Sequence, residues 1–202
     1  TNIEPKFAGV AAVGEALAGV CTTLSKCSGE CKNLRPLLDK FPENSKLLGA
    51  IMFNESSCLF QPKNSGKGAY GLMQMKPSTA NEHRNGCDVT TKDKNDIVTP
   101  VQITEAWLTS EQNKEKIVCV ANNFVNFLKR SCGSKPLHMA AGYNGGPGAC
   151  APSRDCQALR SCSGDGSMRR WECLWDDKLH RNPNTGFRET RLYAPKVAVC
   201  AR

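Results

Sequence analysis

Long apolar runs are missing from this chain of 202 residues, and no acidic residue lies between Glu55 and Glu82. The most apolar stretch, residues 7–20, is shorter than the roughly 20 residues that a membrane-spanning helix needs, and Glu15 interrupts it. No basic segment leads into this stretch, so it is more typical of a helix of small residues than of a signal peptide. We therefore expect no membrane span. The sequence begins at Thr1 without Met, which indicates processing or a longer parent protein.

Spacings typical of metal sites are also missing. The chain has three histidines, and its closest cysteine pair, Cys27 and Cys31, is separated by three residues. Structural zinc sites instead use Cys-x-x-Cys pairs or clusters of Cys and His. We therefore expect no metal and no other cofactor.

Cysteine itself is abundant, with twelve residues spread over the whole chain. The even number favours disulfides, which persist in the periplasm, at the cell surface, in secreted proteins and in virions. We therefore expect an extracytoplasmic location. The density of cysteines predicts local bridges within two groups. These groups are Cys21, Cys27 and Cys31, and Cys150, Cys156, Cys162 and Cys173.

The formal net charge of +8 is compatible with a polyanionic partner. The sequence has no basic helix, no strand with interleaved aromatic residues and no zinc-finger spacing, so we expect no nucleic acid partner. A bacterial wall is also polyanionic. Its attraction for a basic protein would raise encounter rates and weaken as salt is added.

Glu55 is a charged residue where the helical pattern predicts an apolar one. Residues 43–57 are predicted to form a helix, with Leu48, Ile51 and Met52 on one face. Position 55 is the next on that face, so the carboxyl group is expected to point towards the core. Burial disfavours an ionised carboxylate, which is how a protein keeps a carboxylic acid protonated for acid catalysis. The alternative is a glutamate at the helix end that turns out to solvent.

A Gly-rich segment, residues 61–71, follows this helix and leads into an apolar run and a new helix at Pro77. Four segments, residues 55–57, 65–77, 140–148 and 189–197, carry motifs in a fixed order. Together they resemble the catalytic domain of the soluble lytic transglycosylases, which is related to goose-type lysozyme.

The resemblance implies an α+β fold that is predominantly α-helical and lysozyme-like, with a small Gly-rich β-hairpin and many disulfides. Residues 42–202 are expected to form the transglycosylase domain, and residues 1–41 a helical, cysteine-containing extension. A Cys-rich insertion at 149–187 separates the last two motifs. Its Trp171 and Trp175 could form an extra wall of the substrate groove or could fill a small core.

The activity that the resemblance implies is cleavage of peptidoglycan glycan strands. A lytic transglycosylase breaks the β-1,4 bond between N-acetylmuramic acid and N-acetylglucosamine and leaves 1,6-anhydromuramic ends. Glu55 would be the catalytic residue, acting first as acid and then as base. Ser65 would hydrogen-bond the Glu55 carboxyl group, and Gln74 would contact the muramic sugar.

The last two motifs supply the other substrate-binding residues that the resemblance implies. Tyr143 and Asn144 would line the opposite wall, and Glu189 would hold the peptide or the structure of the groove. Two positions depart from the family pattern: many relatives have Met where this chain has Lys76, and Ala where it has Gly145.

Hydrolytic relatives need a second carboxylate to activate water. The nearest candidates here are Asp88, Asp93 and Asp96, well beyond the Gly-rich segment, so the sequence favours a transglycosylase. A hydrolytic muramidase or chitinase that uses one of these residues is the alternative, and a non-catalytic wall-binding or assembly protein is the third hypothesis. The chain could also belong to a larger envelope or virion assembly.

Helix signals place the remaining scaffold. Thr99 and Pro100 are a suitable N-cap and first-turn pair, and a second helix is expected after Asn113, with its apolar face in the core. Gly133 is expected to end that helix, and Pro136 to begin the next.

Overall fold

A computed structural model of the protein describes residues 26–61, 66–153, 169–173 and 186–202. The chain divides into two compact units. The first unit comprises residues 29–130 and 200–202, and the second comprises the described residues of 131–199 together with residues 26–28. The domain boundary expected after residue 41 stays a prediction.

The described residues are mostly helical. The α-helices are α1 (Arg35–Leu38), α2 (Ser45–Ser56), α3 (Pro77–Glu82), α4 (Glu105–Leu108), α5 (Lys114–Cys132), α6 (Pro136–Gly145), α7 (Arg170–Cys173) and α8 (Gly186–Cys200). Short 3₁₀ turns occupy Lys32–Leu34, Glu111–Asn113 and Pro147–Cys150. With a small antiparallel sheet and disulfides, this confirms the predicted α+β fold.

The two-stranded sheet lies later in the chain than the Gly-rich segment. Strand β1 (Thr90–Lys92) pairs antiparallel with β2 (Val98–Pro100), with Thr91 opposite Thr99. The predicted helix start at Thr99 and Pro100 is therefore wrong. Thr104 caps the next helix instead, because its hydroxyl oxygen accepts the backbone N–H of Trp107 at 3.3 Å. A residue before proline also favours extended backbone, and that preference prevails at Thr99.

Helix α2 is tied to helix α5 in the first unit by a buried amide cluster. The side chain of Asn44, which precedes α2, is 6% exposed. Its Nδ2 donates to Oδ1 of Asn122 at 2.7 Å and to Oδ1 of Asn126 at 2.9 Å. Because a buried amide without partners is costly, these bonds fix where α2 begins relative to α5.

The core of the first unit is built from the predicted helix faces. Leu48, Ile51 and Met52 of α2 are completely buried, as the pattern predicts. The residues of α5 expected in the core are buried or half-buried: Ile117, Val120, Ala121, Phe124, Phe127 and Leu128. Helix α5 ends at Cys132, ahead of Gly133 with a φ of 82°, and α6 begins at Pro136, as predicted.

Disulfides join segments that are well separated in sequence. Three bridges are Cys31–Cys58, Cys87–Cys119 and Cys132–Cys150. The prediction of local bridges was wrong for Cys31 and Cys150, because a bridge requires Cα atoms within about 7 Å in the folded chain, whatever their sequence spacing. None of the cysteines in the described residues is free. Cys21, Cys156 and Cys162 lie outside the described residues.

Candidate active site

Glu55 occupies the penultimate position of helix α2 in the first unit. It is half-buried, one turn beyond the fully buried Ile51 and Met52. This exposure lies between the two alternatives, a carboxyl group directed towards the core and one that turns out to solvent, so its orientation stays a prediction. A half-buried carboxyl group can reach a solvent-filled site while its stem remains against apolar neighbours. That position suits a group that must donate a proton to a bound ligand.

The end of helix α2 is held by several contacts just beyond Glu55. The buried Ser56 hydroxyl donates to the carbonyl of Met52 at 2.9 Å, and the Ser57 N–H donates to the carbonyl of Phe53 at 2.9 Å. Ser57 and Cys58 both adopt positive φ, at 51° and 69°. Left-handed backbone at two non-glycine residues costs free energy, so the surrounding structure must impose it. The Cys31–Cys58 bridge is one such constraint.

Gln74 lies in a tight turn whose ends are joined by backbone pairing. The N–H of Tyr70 donates to the carbonyl of Met75 at 3.0 Å, and the reverse bond is 3.2 Å. Gln74 has a φ of 44°, and its Nε2 donates to the carbonyl of Gly71 at 3.0 Å. Leu72 and Met73 are completely buried, so they anchor the turn while Gln74 stays half-buried.

Gly71 lets this turn lie directly against another part of the first unit. Its φ is 73°, and a Cβ atom at this position would lie 1.9 Å from the carbonyl oxygen of Leu108. No side chain fits between two backbone segments at that distance. The glycine therefore positions the Gln74 turn against the end of helix α4.

Asn144 and Thr190 are brought together in the second unit. Thr190 on helix α8 is completely buried, and its Oγ1 lies 2.7 Å from Oδ1 of Asn144 near the end of α6. The hydroxyl donates, so the amide oxygen of Asn144 is occupied and its NH₂ group remains as a donor for a ligand. Tyr143 is 9% exposed, which leaves little of its ring for a substrate.

Thr190 is a candidate site residue that sequence reasoning missed. The motif drew attention to its neighbour Glu189, which is exposed. Helix α8 buries Phe187, Ala194 and Val197, and Thr190 falls on the same stripe. A polar residue on an apolar helical face was the signal that could have identified it, because a buried hydroxyl needs a partner.

Gly145 provides the room for the bond between Thr190 and Asn144. A Cβ atom there would lie 2.8 Å from Oγ1 of Thr190, 3.0 Å from Cβ of Ala149 and 3.2 Å from Cε1 of Phe187. The alanine that many relatives carry here would crowd the Thr190 hydroxyl. This departure from the family pattern is therefore a packing feature of the second unit.

The aspartates proposed as a second catalytic carboxylate have structural roles in or beside the exposed hairpin. Oδ1 of Asp93 accepts the backbone N–H groups of Asn95 at 2.8 Å and Ile97 at 2.9 Å, which closes the hairpin turn. Asp96 lies in the same turn with a φ of 59°. A hydrogen bond from the Thr90 hydroxyl, together with the nearby Lys116 ammonium group, lowers the pKa of Asp88.

The part of the Cys-rich insertion that the structure describes is a small core. Trp171 is 1% exposed, and its ring faces the ring of His138 edge-on at a centroid distance of 6.4 Å. Glu172 is also 1% exposed and accepts the backbone N–H of Arg169 at 2.5 Å. Trp171 thus fills a core and presents no face to a sugar ring. Trp175 lies outside the described residues.

Three further sequence features are Ser65, the absence of metal-site spacings and Lys76. Ser65, expected beside Glu55, lies outside the described residues, so its role stays a prediction. In the described parts of the chain, no three His, Cys, Asp or Glu side chains form a group that could hold a metal ion. Lys76 is exposed immediately before helix α3.

No described helix is long and apolar enough to cross a membrane.

Residues 37–155 match the family model described as the Transglycosylase SLT domain. The match includes Glu55, Gln74, Tyr143 and Asn144, and it ends before the segment that contains Thr190. No curated protein matches the chain.

Proposed function

Because the chain belongs to the Transglycosylase SLT family, we propose that it is a peptidoglycan lytic transglycosylase with Glu55 as its single catalytic carboxyl group. The observation that carries this proposal is the position of Glu55 within the matched residues. It is half-buried at a helix end that hydrogen bonds and a disulfide hold in place. Acid catalysis needs a carboxyl group that is both fixed and accessible to the substrate.

The proposed reaction requires one proton donor and no water. Glu55 donates its proton to the glycosidic oxygen as the bond to C1 of N-acetylmuramic acid breaks. The N-acetyl group of the same sugar stabilises the cationic C1. The Glu55 carboxylate then takes the proton from the 6-hydroxyl group as that oxygen bonds to C1, which forms the 1,6-anhydro ring and restores the acid.

The remaining site residues bind the substrate in this proposal. The fixed turn holds Gln74 for a contact with the muramic sugar, and Asn144 offers its NH₂ group to a carbonyl or hydroxyl oxygen. The structural roles of Asp93 and Asp88 in the hairpin support a mechanism without a second protein carboxylate. Ser65 and Glu189 keep the roles that the family resemblance implies, whereas Tyr143 is mostly buried and would support the wall of the groove from the core.

The location and partners follow from the same proposal. Glycan strands of peptidoglycan are the substrate, and they lie outside the cytoplasm. Disulfides are stable in such compartments. The net charge of +8 favours encounter with wall polyanions at low salt. Membership of a larger envelope or virion assembly is part of the proposal.

The decisive experiment is digestion of purified peptidoglycan followed by mass spectrometry of the released fragments. A transglycosylase releases anhydromuropeptides, each lighter by one water molecule than the hydrolytic product. Reducing muramic ends would instead identify a hydrolase, and intact sacculi would identify a binding protein.

Glu55→Gln tests the catalytic assignment. The amide keeps the side-chain volume but cannot donate a proton, so we expect activity to fall by about 10²- to 10⁴-fold with unchanged thermal stability. Glu43→Gln removes an exposed carboxylate just before helix α2 and is the matched control, with activity close to wild type. Glu55→Gln activity within tenfold of the control would refute the assignment.

A further inference from the structure

A cavity in the first unit has four cationic residues among the twelve that line it. It has a volume of about 310 Å³ and lies where helix α2 meets residues 29–35 and residues 200–202. Its charged lining residues are Lys32, Arg35, Lys46, Arg202 and Glu30. Four positive charges against one negative charge make it a basic cavity, and no residue of the candidate active site lines it.

Part of the wall of this basic cavity is held in place by buried contacts, and its four cationic residues are exposed. Cys31 and Leu38 in its lining are buried, and Cys31 is bridged to Cys58. Gly29 packs so closely on Phe53 that a Cβ atom there would lie 2.4 Å from Cζ of the ring. The held part of the wall loses little conformational entropy when a ligand binds, so the ordering cost falls mainly on the lysine and arginine side chains.

The cations of the cavity are incompletely neutralised by the protein. Lys32 lies 3.7 Å from Glu30, and both side chains are exposed. The Nε–H of Arg35 donates a hydrogen bond to Oδ1 of Asp39 at 2.9 Å. This bond orients the guanidinium group and leaves its terminal nitrogens as donors. Among the residues that the structure describes, Lys46 and Arg202 have no acidic partner.

The chemistry of these groups selects the ligand class. Arginine and lysine together suit phosphate oxygens, because guanidinium binds them bidentately and ammonium adds a point charge. Ser45 also lines the cavity, at the positively polarised start of α2. We propose that the basic cavity is a binding site for a phosphate group, carried by free phosphate, by a phosphorylated envelope polymer or by a lipid headgroup.

The first test is a nuclear magnetic resonance titration of the full ¹⁵N-labelled chain with inorganic phosphate at constant ionic strength. We expect saturable shifts at the amides of Gly29 and Gly49, with a dissociation constant of about 1 mM or tighter. Acetate at the same ionic strength should not saturate these shifts. Absence of saturation by phosphate, or equal saturation by acetate, would overturn the proposal.

Charge reversal separates this site from the general basic charge of the protein. Lys46→Glu should weaken phosphate binding at least tenfold, whereas Lys94→Glu, an equal charge change in the exposed hairpin turn, should weaken it less than twofold. If both variants bind phosphate equally weakly, the loss of binding is explained by the change in net charge, and the basic cavity is not a specific site. Unchanged melting temperatures establish that both variants are folded.

The source of the phosphate is identified by parallel probes. Glycerol phosphate tests binding to a phosphorylated polymer or a soluble phosphate ester. Vesicles of phosphatidylcholine, with or without phosphatidylglycerol, test binding to a lipid headgroup. A larger loss of binding to anionic vesicles for Lys46→Glu than for Lys94→Glu would identify a lipid headgroup. Loss confined to the soluble probes would identify the other two sources. Glu55→Gln should bind phosphate as wild type does, so failure of this proposal and failure of the catalytic proposal can be distinguished.

Discussion

The Thr190 hydroxyl donates a 2.7 Å hydrogen bond to Oδ1 of Asn144, and this bond joins the last motif of the chain to the Tyr143–Asn144 motif. Both partners belong to the second unit. The bond sets which face of the Asn144 amide is available to a ligand. In the proposed reaction, Thr190 would therefore act through Asn144 as a positioning residue.

Thr190→Val removes the hydroxyl donor and keeps the shape of the side chain. We expect kcat/KM for peptidoglycan to fall on the order of tenfold, because the Asn144 amide can then rotate away from its binding orientation. Thr190→Ser keeps the donor and should restore most of the activity. If Thr190→Ser loses as much activity as Thr190→Val, the hydroxyl donor does not explain the effect, and the positioning role is wrong.

Gly145→Ala should destabilise the protein by about 1–3 kcal/mol, because the added Cβ atom would crowd Thr190, Ala149 and Phe187. Urea denaturation measures the change in the free energy of unfolding. Gly148→Ala is the matched control, since a Cβ atom there meets nothing within 4 Å. In the double variant with Thr190→Ala, Gly145→Ala should destabilise the protein less than it does alone, because the crowded hydroxyl is gone. If the two changes in the free energy of unfolding are strictly additive, the proposed crowding is wrong.

Helix faces and helix ends were the features that the sequence predicted best. The stripe of Leu48, Ile51 and Met52 is buried as expected, and Pro77 and Pro136 begin helices. These features depend on local backbone preferences and on the 3.6-residue period, both of which can be read directly from residue order. For the same reason the position of Glu55 at the end of a core-facing stripe was predictable.

Features that depend on tertiary proximity were not predictable in this way. The pairing of Cys31 with Cys58 requires that two segments meet in space, and cysteine density gave no information on that meeting. The sequence around Thr99 is compatible both with a helix N-cap and with extended backbone before a proline. Its pairing with Thr91 in the sheet selects the extended form. The role of Thr190 depends on which residue of another helix lies opposite its hydroxyl.

His83 should make stability depend on pH between about pH 5 and 7.5. Its ring lies against those of Phe124 and Phe127, at centroid distances of 4.9 and 5.1 Å. Burial lowers the pKa of His83, with a smaller contribution from Arg130 and an opposing one from Glu82. The unfolded chain then binds the proton more readily than the folded protein does. The contribution of His83 to the free energy of unfolding is therefore most favourable above pH 6.5 and decreases as the pH falls towards the folded pKa.

His83→Gln should reduce this pH dependence. The melting temperatures of the wild type and the variant, measured at intervals from about pH 7.5 to 5, provide the comparison, and the difference between them isolates His83 from the other histidines. A wild-type slope identical to that of the variant would contradict the prediction. A titration of the His83 ring by nuclear magnetic resonance should independently give a midpoint below 6.5.

The three aspartates of the hairpin region provide the sharpest separation of transglycosylase from hydrolase. Asp88→Asn, Asp93→Asn and Asp96→Asn should each retain most of the lytic activity, because in the proposed reaction the 6-hydroxyl group of the substrate replaces water. Asparagine at position 93 keeps an oxygen that can accept the N–H groups of Asn95 and Ile97, so the hairpin turn should persist. Circular dichroism checks that each variant is folded before activity on peptidoglycan is compared.

A hydrolase would instead lose activity at the one aspartate that activates water. A loss of more than about 100-fold at any of the three, or roughly 2.7 kcal/mol of transition-state stabilisation, together with reducing ends in the wild-type products, would establish the hydrolytic alternative.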